Sequence, residues 1–193
     1  MGNVRSRREQ QRLEDEMAAL CAELANGLGQ PAPSDTDQLF DRIAAHLSVR
    51  RGRPVRIVRR DLPREFGTVS GLWLDREMDD VIVVVRNTSP LHSLVILGHE
   101  IWHMMRGHCG SHVLGVQVTT RLLRDELSPA DLGQAVLSVA ARTHAVPGDE
   151  AEAEDFGRRL GSSLRRYVEH DPSARVLKGT ARRIQSSLGA SEG

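Results

Sequence analysis

The sequence predicts an α+β fold with N-terminal helices, a small, mostly antiparallel sheet and a pair of helices carrying polar residues of interest. Three observations lead there. Apolar residues recur at spacings of three and four before Gly52 and again after Pro90, as on one face of a helix. Between these stretches the spacing drops to two and a β-branched run appears, which marks strands. Each helical stretch is also bounded by capping residues and glycines. With 193 residues, 39% of them hydrophobic, the chain is long enough to bury a core, and with aromatics at only 3% that core is aliphatic.

The elements follow in order. From Arg5 to Asn26 a helix is expected, with Leu13, Met17, Leu20, Cys21 and Leu24 on one stripe, ended by Gly27, Gly29, Pro31 and Pro33. Ser34 or Asp35 caps a second helix with the stripe Leu39, Phe40, Ile43, Ala44 and Leu47, and both stripes pack on the same core. Pro54–Arg60 alternates like a half-buried strand. Gly67–Asp75 is a second strand, with Gly71 as a bend or bulge, and Val81–Arg86 a third. The short charged link Arg76–Asp80 predicts a hairpin between the last two. Thr88 or Ser89 caps a helix that begins at Pro90 and stops at Gly107. His108–Thr120 is expected to be loop, Pro129–Arg142 a further helix, and Asp149–Val168 a strong helix whose first turns carry Glu150, Glu152 and Glu154. A weak helix is expected at Leu177–Leu188. The domain reading is residues 1–52 as a helical extension, 53–170 as the main domain and 171–193 as a tail.

Composition excludes several classes of function. Basic and acidic side chains number 26 each, so overall charge gives no argument for nucleic acid or an anionic membrane. Cys21 and Cys109 are the only cysteines, too few for a disulfide framework or a cysteine-based zinc site, and they suit a reducing cytoplasm. The opening MGNVRSRREQQRLEDE has no apolar core of a secretory signal, and the longest apolar runs are far too short to span a membrane.

The chemistry concentrates in His99-Glu100-Ile101-Trp102-His103, an HExxH motif in an otherwise apolar helix. Residues four apart stand above one another on one face, so His99 and His103 can offer two imidazole nitrogens to one Zn²⁺. Glu100 lies beside that pair and can take the proton of a water at the metal, the role of a catalytic base. Three polar residues in such a helix would be costly without a strong partner. A catalytic zinc site needs a third protein ligand, and no histidine stands at the HExxHxxGxxH offset. Glu150 and Glu154 share a face of the later helix, one as ligand and the other as a carboxylate orienting an imidazole. Glu150 is the favoured ligand and Glu152 its competitor. His144 and Tyr167 are candidate oxyanion donors; His92, His108, His112 and Cys109 are read as surface or structural residues. Val81–Val85 is either a sheet edge that pairs with an extended substrate, flanked by Asp79, Asp80 and Arg86, or a strand buried between two neighbours.

Taken together, Gly71-Leu72-Trp73-Leu74, the strand Val81–Val85, HEIWH and the segment Glu150–Leu160 resemble the ImmA/IrrE family of metallopeptidase-like proteins. The resemblance covers roughly Pro54–Tyr167. It implies a zincin-like minimal metallopeptidase domain, with Glu150 on the family's third zinc ligand. Glu154 stands where the family has Asn or Asp, and Gly157 where it has Ala. The implied function is a zinc-dependent metallo-endopeptidase that cleaves or controls a helix-turn-helix repressor or antitoxin encoded nearby, as in toxin–antitoxin and transcriptional regulation. The alternative is a non-catalytic interaction protein with a structural or vestigial zinc site. A third reading, direct nucleic-acid binding, rests on the arginine-rich stretch Arg50–Arg60, whose alternation with Val55, Ile57 and Val58 instead suggests the solvated face of a strand.

Overall fold

The computed structural model describes residues 6–60, 70–75, 78–107 and 147–169. The expected loop at His108–Thr120 and the helices expected at Pro129–Arg142 and Leu177–Leu188 lie outside the described residues, as does the 171–193 tail.

Helix α1 spans Arg7–Asn26 and opens with a capping box: Ser6 Oγ accepts from the Glu9 N–H, and the Glu9 carboxylate accepts from the Ser6 N–H at 2.8 Å. Helix α2 spans Thr36–Arg51, capped by Asp35, whose Oδ1 accepts from the Gln38 N–H at 2.8 Å. It ends at Gly52, whose φ of 66° lies in the left-handed region that favours glycine. The predicted stripes of both helices, apart from half-buried Ala44, are buried in one core with residues of the later helices, because each stripe is too apolar to leave in water.

Three strands follow: β1 (Val55–Arg60), β2 (Gly71–Asp75) and β3 (Asp80–Val85). The hairpin expectation holds, since β2 pairs antiparallel with β3, Trp73 opposite Ile82. The mostly antiparallel sheet does not. The strand order is β1-β3-β2, and β1 runs parallel to β3 with Val55 opposite Asp80. The sheet is therefore mixed. A short charged link can specify a hairpin, but nothing in the alternation of β1 says which neighbour it takes. Strand β3 is also not an edge. It lies between the other two, and Val81–Val84 are 0–3% exposed. This is why its sequence is a continuous β-branched run rather than an alternation.

Helix α3 (Pro90–Arg106) lies against the sheet, with Leu94, Leu97, Ile101 and Trp102 fully buried. Helix α4 (Pro147–Leu164) packs along α3 and passes into a 3₁₀ turn at Arg165–Tyr167. Phe156, Leu160 and Leu164 of α4 complete the core. No helix among the described residues is long and apolar enough to cross a membrane.

Candidate metal centre

Helix α3 is set up by its ends. Ser89 Oγ accepts from the His92 N–H at 3.2 Å, Pro90 takes the first position, and Gly107 closes the helix with φ 61°. His92 is exposed on the first turn. Two turns further, His99 and His103 stand one above the other. Their Nε2 atoms are 3.0 Å apart and their rings meet edge to face at 70°.

Helix α4 brings Glu150 to the same point. Glu150 Oε2 is 3.5 Å from His99 Nε2, and Oε1 is 3.4 Å from His103 Nε2. Among the described residues, His99, His103 and Glu150 form a group that could hold a metal ion, with one ligand atom from each within 4.8 Å of the others. The edges of the group test that fit. Donors about 2.0–2.1 Å from a tetrahedral centre lie roughly 3.3 Å from one another. The imidazole nitrogens, 3.0 Å apart, are near that figure; the Glu150 carboxylate spans them with one oxygen each, Oε2 toward His99 at 3.5 Å and Oε1 toward His103 at 3.4 Å. Among the described residues the group supplies three donors, and its side chains are 14–42% exposed.

Glu100 sits beside this group but faces the sheet. Burial pushes its carboxyl up to about 8, a backbone hydrogen bond from Trp73 opposes that, and the negative charge of Glu150 adds to the rise. Burial lowers His99, while Glu150 and Glu154 pull the other way; a neutral imidazole is the form that binds a cation. The Trp73 bond follows from the strand register. The Ser70 carbonyl accepts from the Val85 N–H at 2.9 Å. Because antiparallel pairs alternate, Gly71, Trp73 and Asp75 then turn their own N–H and C=O groups away from β3, toward the outer edge. Gly71 leaves room there: a Cβ at that position would lie 2.7 Å from Glu100 Oε1.

The other acids of α4 divide. Glu152, the competing ligand, does not face the histidines; it is 5% exposed, and its Oε2 accepts from Trp102 Nε1 at 3.3 Å. Two residues along a helix is about 200° of rotation, so Glu150 and Glu152 cannot both reach the same cation. Glu154 is exposed and ion-paired with Arg158 at 3.5 Å, and it touches His99 only through its charge. Tyr167 lies beyond the far end of α4, roughly 21 Å of helix from Glu150, and its hydroxyl meets Arg166 at 2.8 Å. It is therefore not an oxyanion donor for this group. His144, His108, His112 and Cys109 lie outside the described residues.

Sequence patterning named Asp80, Trp73 and the arginines of Arg50–Arg60 separately but did not join them into one network beside Glu100. Asp80, fully buried, binds Arg51 Nε at 3.0 Å, Arg53 Nε at 2.7 Å and the Trp73 indole Nε1 at 2.9 Å. The same contacts explain the arginine-rich stretch. Arg50 pairs with Glu23, Arg51 and Arg53 with Asp80, Arg56 with Asp79 and Arg59 with Asp37. Most of its charge is answered inside the protein, which removes the basis for a phosphate-binding patch.

No protein-family model, curated protein or solved structure matches this chain.

Proposed function

We propose that this protein is a zinc-dependent metallo-endopeptidase of a zincin-like kind, as the resemblance to the ImmA/IrrE family implies. The observation that carries the reading is the convergence of His99, His103 and Glu150, with one donor atom from each within 4.8 Å of the others, and the buried carboxyl group of Glu100 beside them. Two imidazoles and a carboxylate suit Zn²⁺. Bound there, zinc supplies a Lewis acid that acidifies water and polarises a carbonyl.

The chain's own residues do the rest. A cation held beside Glu100 would favour its ionised form against burial. That carboxylate would accept a proton from the attacking water and pass it to the leaving amine. The Trp73 N–H holds the Glu100 carboxylate in place through that exchange. Strand β2 borders Glu100, so we assign to β2, rather than to Val81–Val85, the backbone pairing with an extended peptide. Such pairing reads backbone rather than side chains, which suits a protein substrate. The resemblance makes that substrate a helix-turn-helix repressor or antitoxin encoded nearby.

The test mixes the protein with such a neighbouring regulator. Wild type should carry one zinc and yield fragments. His99→Ala should lose the metal, and Glu100→Gln should keep the metal and yield no fragments. A wild-type protein that binds no metal ends the proposal. A Glu100→Gln protein that keeps the full biological effect favours the non-catalytic binding role instead.

A further inference from the structure

Glu152 is a carboxylate drawn into the core. It lies two residues from Glu150 and faces inward, 5% exposed. Its Oε2 accepts from the Trp102 indole at 3.3 Å. Trp102 immediately precedes His103, is fully buried, and stacks on Phe156 of α4 with centroids 5.0 Å apart and planes at 27°. Arg106 approaches the same oxygen at 4.0 Å, sits 5.7 Å from the Trp102 ring centroid and reaches Glu16 of α1 at 3.1 Å. A carboxylate in a core costs more than an apolar side chain of its size, even when an indole and a guanidinium meet it. Stability alone does not account for it.

The seam between α3 and α4 supplies a reason. The helices meet through glycine: a Cβ at Gly98 would lie 2.8 Å from Gly157 Cα, and one at Gly157 would lie 2.5 Å from the Val95 carbonyl oxygen. Such a seam permits close approach and leaves the register to the side chains that flank it, Trp102, Phe156 and Glu152 among them. One turn of slip is about 5.4 Å, enough to carry Glu150 away from both imidazoles.

We infer that Glu152 is a positioning residue for the metal centre: by accepting the Trp102 indole N–H it sets the register of α4 on α3 and so holds Glu150 against His99 and His103. The inference rests on the metal-site reading, and it does not depend on peptidase activity.

Zinc affinity, measured by competition with a chromophoric chelator, and the visible spectrum of the Co²⁺-substituted protein read the site without a cleavage assay. Glu152→Leu should weaken zinc binding roughly 10–100-fold and diminish the tetrahedral Co²⁺ bands. The metal-free protein should unfold at the wild-type temperature or above. Glu152→Gln keeps a carbonyl acceptor and should recover most of the affinity. Trp102→Phe keeps the stack and removes the donor, and should lose affinity as Glu152→Leu does; it carries the test if the leucine variant fails to fold. Wild-type zinc affinity and Co²⁺ bands in both Glu152→Leu and Trp102→Phe overturn the inference and leave the metal site standing. Equal losses in Glu152→Gln and Glu152→Leu overturn it as well, as does an affinity loss wholly matched by lower stability of the metal-free protein. A wild-type protein that binds neither ion overturns the inference and the metal site together.

Discussion

The backbone N–H of Trp73 donates to the carboxylate of Glu100, which ties the outer edge of the sheet to the residue that follows the first histidine of the metal group. The link has a second half. The Trp73 side chain is held by Asp80, and Asp80 by Arg51 and Arg53, so the arginine cluster at the start of the sheet reaches Glu100 through one tryptophan. Glu100 is oriented by the sheet, while the histidines beside it are oriented by their own helix.

Gly71→Ala tests the space around Glu100. The added Cβ would stand 2.7 Å from Glu100 Oε1 and 2.6 Å from Ile96 Cγ2. Overpacking of this kind costs about 1–3 kcal/mol. A displacement on the order of 1 Å at Glu100 should lower cleavage about 10²-fold, with zinc stoichiometry unchanged. Cleavage kinetics beside a metal assay check both halves; normal turnover would show that the carboxylate need not sit where it does.

Gly157→Ala tests the glycine seam. Its Cβ would meet the Val95 carbonyl oxygen at 2.5 Å, and backbone cannot turn aside. The helices must separate, with stability falling by about 2–3 kcal/mol and zinc affinity falling with it. Gly161→Ala meets Val95 Cγ2 at 2.8 Å, a side-chain methyl that can shift, so it should do less. Urea unfolding and chelator competition on the two variants give the comparison.

Asp80 should govern the acid limb of stability. Burial raises its pKa, but the Arg53 and Arg51 guanidiniums and the Trp73 indole outweigh that, leaving it below the ordinary 3.8. A carboxylate depressed on folding contributes stability that is complete above the unfolded value and is lost as pH falls through the folded one. The loss therefore lies below pH 3.8. Asp80→Asn removes the charge that Arg51 and Arg53 meet; Arg53 keeps Asp75 and both guanidiniums are 26% exposed, so the cost at neutral pH should be about 1–3 kcal/mol. The substitution should also flatten the acid limb in a pH series of denaturant midpoints.

Removing the metal should lower stability by a set amount. Free zinc at about 100 times its dissociation constant adds about 2.7 kcal/mol to a protein that binds it only when folded. Thermal scans with zinc and with a chelator should differ accordingly in wild type, and the difference should vanish in His103→Ala. An unchanged midpoint in wild type would count against the site.

How much of this was legible in advance follows from the range of the forces. Helix ends were readable because a cap is a bond between residues a few positions apart: Ser89 with His92, Asp35 with Gln38. The facing of His99 and His103 was readable because one turn of helix dictates it. Glu150 could be favoured but not separated from Glu152, since that choice depends on how far α4 is rotated when it meets α3.

Among the described residues, the sequence by itself determined the helices, the strands, the hairpin and the imidazole pair, all products of local geometry and hydrophobic period. Only the tertiary structure decided that β1 joins β3 in parallel, that β3 lies between β1 and β2, that Glu152 turns inward to Trp102, and that a backbone N–H from Trp73 reaches Glu100. These are contacts between segments distant along the chain. They are chosen by packing and by the burial of polar groups that need partners, which no periodicity within one segment records.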